Sequence, residues 1–169
     1  STVLNGVMIL DEFTRFIHLS LISLTIIFFL LQKTYLIQKK LLKFENSILI
    51  LIALLGLLIL TSSYNLITLY LAIELQSLCF YILAASNTRS SLSIEAALKY
   101  FILGAIASSF ILYGSSIIYL ITGSLNFGNI FIFISNINHP ENLELILSLF
   151  YGFLFVFSGL LFKIGVAPF

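Results

Sequence analysis

The chain has 169 residues, of which 60% are hydrophobic and only 9% charged, and its formal net charge is +1. A soluble domain carries roughly 25% charged residues, so this composition excludes a soluble enzyme domain and a disordered tail, and the lack of basic excess excludes a nucleic-acid binder. A polytopic membrane protein remains, in agreement with a mean hydropathy of +1.16. The single cysteine, Cys79, rules out an internal disulfide and a multi-cysteine zinc site, and reads as a small buried hydrophobe. Leu, Ile, Phe, Asn and Lys stand in for Ala, Val and Arg through much of the chain, a bias that an AT-rich genome such as an organelle's would encode.

A spanning helix needs about 20 mostly apolar residues. Five stretches qualify, at 12–31, 47–61, 65–85, 94–121 and 143–164. They predict an all-α membrane fold forming one transmembrane domain over 1–169, with no room for a soluble domain. The second stretch is apolar on every face, which excludes the alternation of a membrane β-barrel.

The first span opens with Asp11, Arg15, His18 and Thr25 on one helical face. Asp11 and Arg15 have the i,i+4 spacing of a helical ion pair. His18 reads first as a packed interfacial histidine and second as a proton carrier. No basic region followed by a small-residue cleavage site precedes this span, so no secretory signal is expected. The first residue is Ser1, which fits either processing or a piece of something longer.

The second span carries only Ala53 and Gly56 as small interior residues and is expected to face lipid. The loops then give an orientation. Lys33, Lys39, Lys40 and Lys43 lie between the first and second spans, and Arg89 between the third and fourth. A serpentine path puts both loops on one side. The other side takes the 62–64 turn and the 122–142 segment, which holds Glu141 and no Lys or Arg. The positive-inside rule assigns the basic loops to the matrix or cytoplasmic side. Within 122–142, the run IFIFI at 130–134 is too short to span and predicts an interfacial helix or a short strand.

The third span carries Glu74 near its middle, in LAIELQS. An ionised side chain there costs roughly 2.5–3.5 kcal/mol even on lenient insertion scales, and such residues are functional by default. A carboxyl group that exchanges between charged and neutral forms suits proton transfer; the bland reading is a neutral, hydrogen-bonded structural Glu. In the fourth span Lys99 follows Glu95 by four residues, the favourable ion-pair orientation. Either the two form an interfacial pair, or Lys99 faces Glu74 across the helix contact. At ~8 Å and an effective dielectric of ~20 the second arrangement is worth about 2 kcal/mol. The same span carries the small residues Gly104, Ala105, Ala107, Ser108, Ser109, Gly114, Ser115 and Ser116, expected of a central packing helix. Lys163 comes late in the fifth span, before Gly165 and Pro168, where the helix should break. Spacing alone leaves two readings open, a lysine snorkelling at a helix end or one lining a polar cavity beside broken backbone.

The runs LAIELQSLCFYILAAS at 71–86, SIEAALKYFILGAIASSFILYGSSIIYLITGS at 93–124 and LLFKIGVAPF at 160–169 resemble, in order, three helices of the subunit 2 family of respiratory complex I, the proton-pumping NADH:ubiquinone oxidoreductase. DEF at 11–13 and the first two spans fit the family's order. The resemblance implies an antiporter-like fold in which these five helices form the first half-channel repeat, the fifth ending in a break near Pro168. It makes Glu74 the proton-handling glutamate and Lys163 its partner lysine, with Lys99 a further candidate; Glu95 and His18, from their spacing alone, are expected in support. It implies a non-redox subunit with no cofactor of its own, the FMN, iron–sulfur clusters and ubiquinone lying in other subunits. Its partners would be membrane lipids and the other membrane-arm subunits, in a heteromeric assembly and not a homo-oligomer. Its place would be the mitochondrial inner membrane, with the basic loops on the matrix side. The family pattern continues beyond Phe169, so either a second polypeptide carrying the C-terminal half or a truncated subunit is expected. The alternatives are a purely structural membrane-arm subunit and a subunit of a related cation/proton antiporter.

Overall fold

A computed structural model describes residues 2–39, 44–137 and 143–165. Lys40, Lys43, His139, Glu141 and Pro168, with the break expected there, lie outside these residues. The described chain begins with a small antiparallel hairpin, β1 (Thr2–Val3) and β2 (Met8–Ile9). Its turn takes positive φ at Leu4, Asn5 and Gly6. Helices α1 (Glu12–Lys39), α2 (Phe44–Ser62), α3 (Leu66–Ala84), α4 (Ser91–Thr122), α5 (Phe127–Asn136) and α6 (Leu143–Ile164) follow. All except α5 are long and apolar enough to cross a membrane.

The helix ends have local causes. α3 starts at the Asn65 cap, whose side chain accepts from the Ile67 N–H at 2.9 Å. α4 starts at the Ser90 cap, ahead of its apolar run. It ends where Gly123 turns left-handed and its N–H closes on the Tyr119 carbonyl at 2.8 Å. α1 outruns its apolar stretch to Lys39 because Leu, Gln and Lys continue a helix after hydropathy falls. The 130–134 segment belongs to α5, capped by Asn126.

The spans pack in a row, α1 on α2, α2 on α3, α3 on α4 and α4 on α6. α4 is the centre. Its buried residues Gly104, Ala107, Ser108, Ile111, Gly114, Ser115 and Ile118 follow helical spacing. On one flank α6 comes close enough that a Cβ at Gly114 would sit 2.5 Å from the Gly152 carbonyl, and one at Gly159 2.6 Å from the Ala107 carbonyl. Glycine is the only residue that permits this approach. The core holds Leu66, Ile111, Ile118, Ile130, Leu149 and Val156. The lipid-facing expectation for α2 holds for only one of its faces. Ala53 is buried, and a Cβ at Gly56 would meet the Ala72 carbonyl at 3.2 Å, so the other face seats α3. α1 is the peripheral helix, with none of its apolar window buried.

One end of the bundle is tied together by backbone. The Tyr64 N–H donates to the Val7 carbonyl at 2.9 Å and the Leu66 N–H to the Leu125 carbonyl at 3.0 Å. Asn126 Nδ2 donates to the Gly6 carbonyl at 2.8 Å. The hairpin, the α2–α3 turn and the α4–α5 connection therefore share one end, and the Arg89 loop lies at the other.

Candidate functional site

Glu74 lies eight residues into α3 and ten from its end, about 12 Å and 15 Å along the axis. That is the middle of a helix just long enough to span a hydrocarbon core. Its Oε1 accepts from Lys163 Nζ at 2.7 Å. The two side chains are 23% and 14% exposed, so the pair is largely enclosed.

Lys163 reaches this depth although it is next to the last residue of α6. The reason is the antiparallel register of α6 on α4. Gly152 meets Gly114 and Ile118, while Gly159 meets Ala107 and Ile111. Extending that register puts Lys163 level with about residue 105 of α4, roughly 20 Å beyond the start of that helix at Ser91. α6 thus ends partway through the bundle, where Gly165 takes φ +76° and its N–H bonds the Phe162 carbonyl at 3.1 Å. The last carbonyls of a helix lack intrahelical donors and carry partial negative charge, which favours the Lys163 cation. Lys163 is thus turned to Glu74 inside the bundle and does not snorkel to a surface, while the break expected near Pro168 lies outside the described residues.

Lys99 does not face Glu74. Its Nζ bonds Glu95 Oε1 at 2.6 Å, and the two side chains are 70% and 57% exposed. Ala97 is the buried residue of that turn, and Lys99 lies about 200° round the helix from it. The i,i+4 pair therefore forms on the outer face of α4. His18 Nε2 lies 3.1 Å from the Leu58 carbonyl and 3.0 Å from Thr61 Oγ1, joining α1 to α2 away from the ion pair. Cys79 is buried.

Two residues beside Glu74 escaped the sequence reading. Ser77 and Tyr81 share its face of α3, at i+3 and i+7, and both are buried. The spacing Glu-x₂-Ser-x₃-Tyr was visible as a signal, but in a helix this apolar, serine and tyrosine pass as ordinary packing residues.

Over residues 63–169 the chain matches the family described as NADH:quinone oxidoreductase/Mrp antiporter, transmembrane. It is 39% identical over 167 residues to NADH-quinone oxidoreductase subunit N of Ruthia magnifica subsp. Calyptogena magnifica, covering 99% of this chain and 34% of that protein. It is 42% identical over 162 residues to NADH-ubiquinone oxidoreductase chain 2 of Marchantia polymorpha, covering 96% and 33%. The chain spans about a third of the length of these curated relatives. Its fold resembles a chain of respiratory complex I from Thermus thermophilus with bound aureothin, with TM-score 0.61 and 37% identity over 75% of this chain and 26% of that one. A chain of the archaeal membrane-bound sulfane sulfur reductase aligns with TM-score 0.59 and 30% identity, over 67% and 22%. An all-α bundle with a lysine at a helix end paired to a mid-span glutamate, together with these matches, places the chain in the NADH:quinone oxidoreductase/Mrp antiporter transmembrane family.

Proposed function

We propose that this chain is part of an antiporter-like subunit in the membrane arm of a proton-translocating NADH:quinone oxidoreductase, and that Glu74 and Lys163 form its proton-handling pair. The observation that carries the reading is the 2.7 Å contact between the two groups at mid-span. At that distance and an effective dielectric of about 20 their attraction is about 6 kcal/mol; at ~8 Å it is about 2 kcal/mol. Moving the end of α6 therefore changes the attraction between the two charges severalfold, which is the lever a redox-driven pump needs. The redox work belongs to other subunits, which would hold FMN, iron–sulfur clusters and ubiquinone; the isolated chain would catalyse nothing. Lys99 has no part in the exchange on this reading.

The part of the pair left open cannot face hydrocarbon, because a charged group there is costly. Protein or a water-filled cavity must cover it. The remaining two thirds of the relatives' length, on this or a second polypeptide, is the natural cover, alongside the other membrane-arm subunits. The relative from Marchantia polymorpha and the AT-rich residue bias support a mitochondrial inner membrane location, with the Arg89 end in the matrix.

Glu74→Gln in the assembled complex tests the reading. NADH-driven proton uptake should fall with assembly intact; unchanged uptake would reject a role for Glu74. The family also contains Mrp antiporters. Purification without redox partners, with sodium-dependent proton exchange, would favour that second reading. Native electrophoresis with mass spectrometry of the same band would identify the remaining helices and show which polypeptide carries them.

A further inference from the structure

Two registers meet on α4. The glycine contacts with α6 set Lys163 level with about residue 105 of α4. On the other flank Ser93 Oγ donates to the Ala84 carbonyl at 2.6 Å. Counted along the antiparallel α3, that contact sets Glu74 level with about residue 103. The two ionisable groups share a height because both helices are gauged against the same third one.

Ser93 ties only the Arg89 end of α3. Further in, the contact is made by Tyr81, 7% exposed, and one turn of α4 seats it. Its ring packs edge-on against Tyr100 at 4.7 Å and Phe101 at 5.6 Å. Its hydroxyl occupies the place of the missing side chain at Gly104. A Cβ there would overlap that oxygen and lie 2.7 Å from Tyr81 Cζ and 3.3 Å from Cε1. All three nearest atoms belong to Tyr81, whereas Gly114 and Gly159 make room for backbone of the α4–α6 contact. Glycine is the poorest helix former after proline, and Gly104 lies well inside a helix. The notch that it leaves serves one side chain.

The geometry points to Tyr81, seated on Gly104, as a positioning residue for the ion pair: it fixes how closely the middle of α3 approaches α4, and so the separation of Glu74 from Lys163. This rests on the reading that the pair handles protons. Glu74 lies about two turns, or about 10 Å, from Tyr81 on the same face of α3. Tyr100 and Phe101 flank the ring, so a ring forced out of the notch carries the α3 backbone with it. The carboxylate then moves against an ammonium that α6 holds independently, through Gly114, Gly152 and Gly159. The attraction between the two charges falls as they separate.

The test uses membranes holding the assembled complex, with NADH-driven proton uptake measured across pH. Gly104→Ala should lower uptake severalfold and shift its pH profile. Adding Tyr81→Phe should recover part of the loss, because the oxygen is gone while Cζ still lies against the new methyl. Adding Tyr81→Leu instead should recover most of it. A role in packing alone predicts the opposite, since loss of a second buried ring would deepen the defect. Tyr81→Leu by itself collides with nothing and serves where Gly104→Ala does not assemble; it should lower uptake and shift the profile. Parental uptake and profile in Tyr81→Leu, or double variants no better than Gly104→Ala, with Glu74→Gln impaired, would overturn the positioning role alone. Parental uptake in Glu74→Gln would overturn the proton-handling reading and the positioning role with it.

Discussion

Lys163 is the penultimate residue of α6, yet its ammonium meets the carboxylate of Glu74 at the middle of α3. A helix end inside the bundle and a mid-span acid create each other's environment. Removing one partner leaves the other charge enclosed and unpaired, which in buried pairs costs about 3–5 kcal/mol, whereas replacing both with apolar groups is often close to neutral. Glu74→Gln and Lys163→Met should therefore each reduce the thermal stability of the assembled complex. The double variant should recover much of the loss without recovering proton uptake. Additive losses in a melting series would show that the two charges are not coupled.

The five spans were legible in the sequence because apolar length is a local property. The depth of Lys163 was not, because it depends on where α6 lies along α4, and that register is set by Gly114, Gly152 and Gly159, which could pair in several ways. Family resemblance identified the partner of Lys163; spacing did not. Lys99 shows the converse. It lies on the outer face of α4, turned away from α3, and pairs there with Glu95 four residues before it. The N-terminal hairpin left no signal, since two-residue strands have no periodicity to read.

The glycines of the α4–α6 contact should tolerate nothing larger. A Cβ at Gly159 would lie 2.6 Å from both the Ala107 carbonyl and Ile111 Cγ1. Overpacking of this kind costs typically about 1–3 kcal/mol. Gly159→Val should lower the melting temperature of the purified complex and weaken pumping, because separating α6 from α4 also withdraws Lys163. Gly123→Ala is the contrast. Its φ of +67° strains an L-residue by about 1–2 kcal/mol, but nothing lies within 4 Å of the new methyl. It should lower stability without altering pumping. Equal effects of the two substitutions on pumping would refute the link between α6 packing and the ion pair.

Asn126 works twice. Its Oδ1 caps α5 by accepting from the Gly128 N–H at 2.9 Å, and its Nδ2 holds the hairpin through the Gly6 carbonyl at 2.8 Å. Asn126→Ala should lose about 1–2 kcal/mol locally. The visible consequence should be faster proteolysis of the 2–9 segment in membranes, with α3 and α4 still protected. Cleavage at the parental rate would show that the Tyr64–Val7 backbone bond alone holds the hairpin.

The two ends of the bundle should label from opposite sides of the membrane. Arg89 is exposed in the loop after α3, and Asn129 is exposed in α5 at the end where hairpin, turn and loop meet. The single native cysteine, Cys79, is buried at 5% exposure and should stay silent to a membrane-impermeant maleimide. Introduced one at a time, Arg89→Cys should label only from the side carrying the basic loops and Asn129→Cys only from the other. With the basic loops in the matrix, Asn129→Cys reacts in intact mitoplasts and Arg89→Cys only after inversion of the membrane. The reverse pattern would leave the helix path intact and overturn its orientation. Labelling of both from one side would break the serpentine path itself.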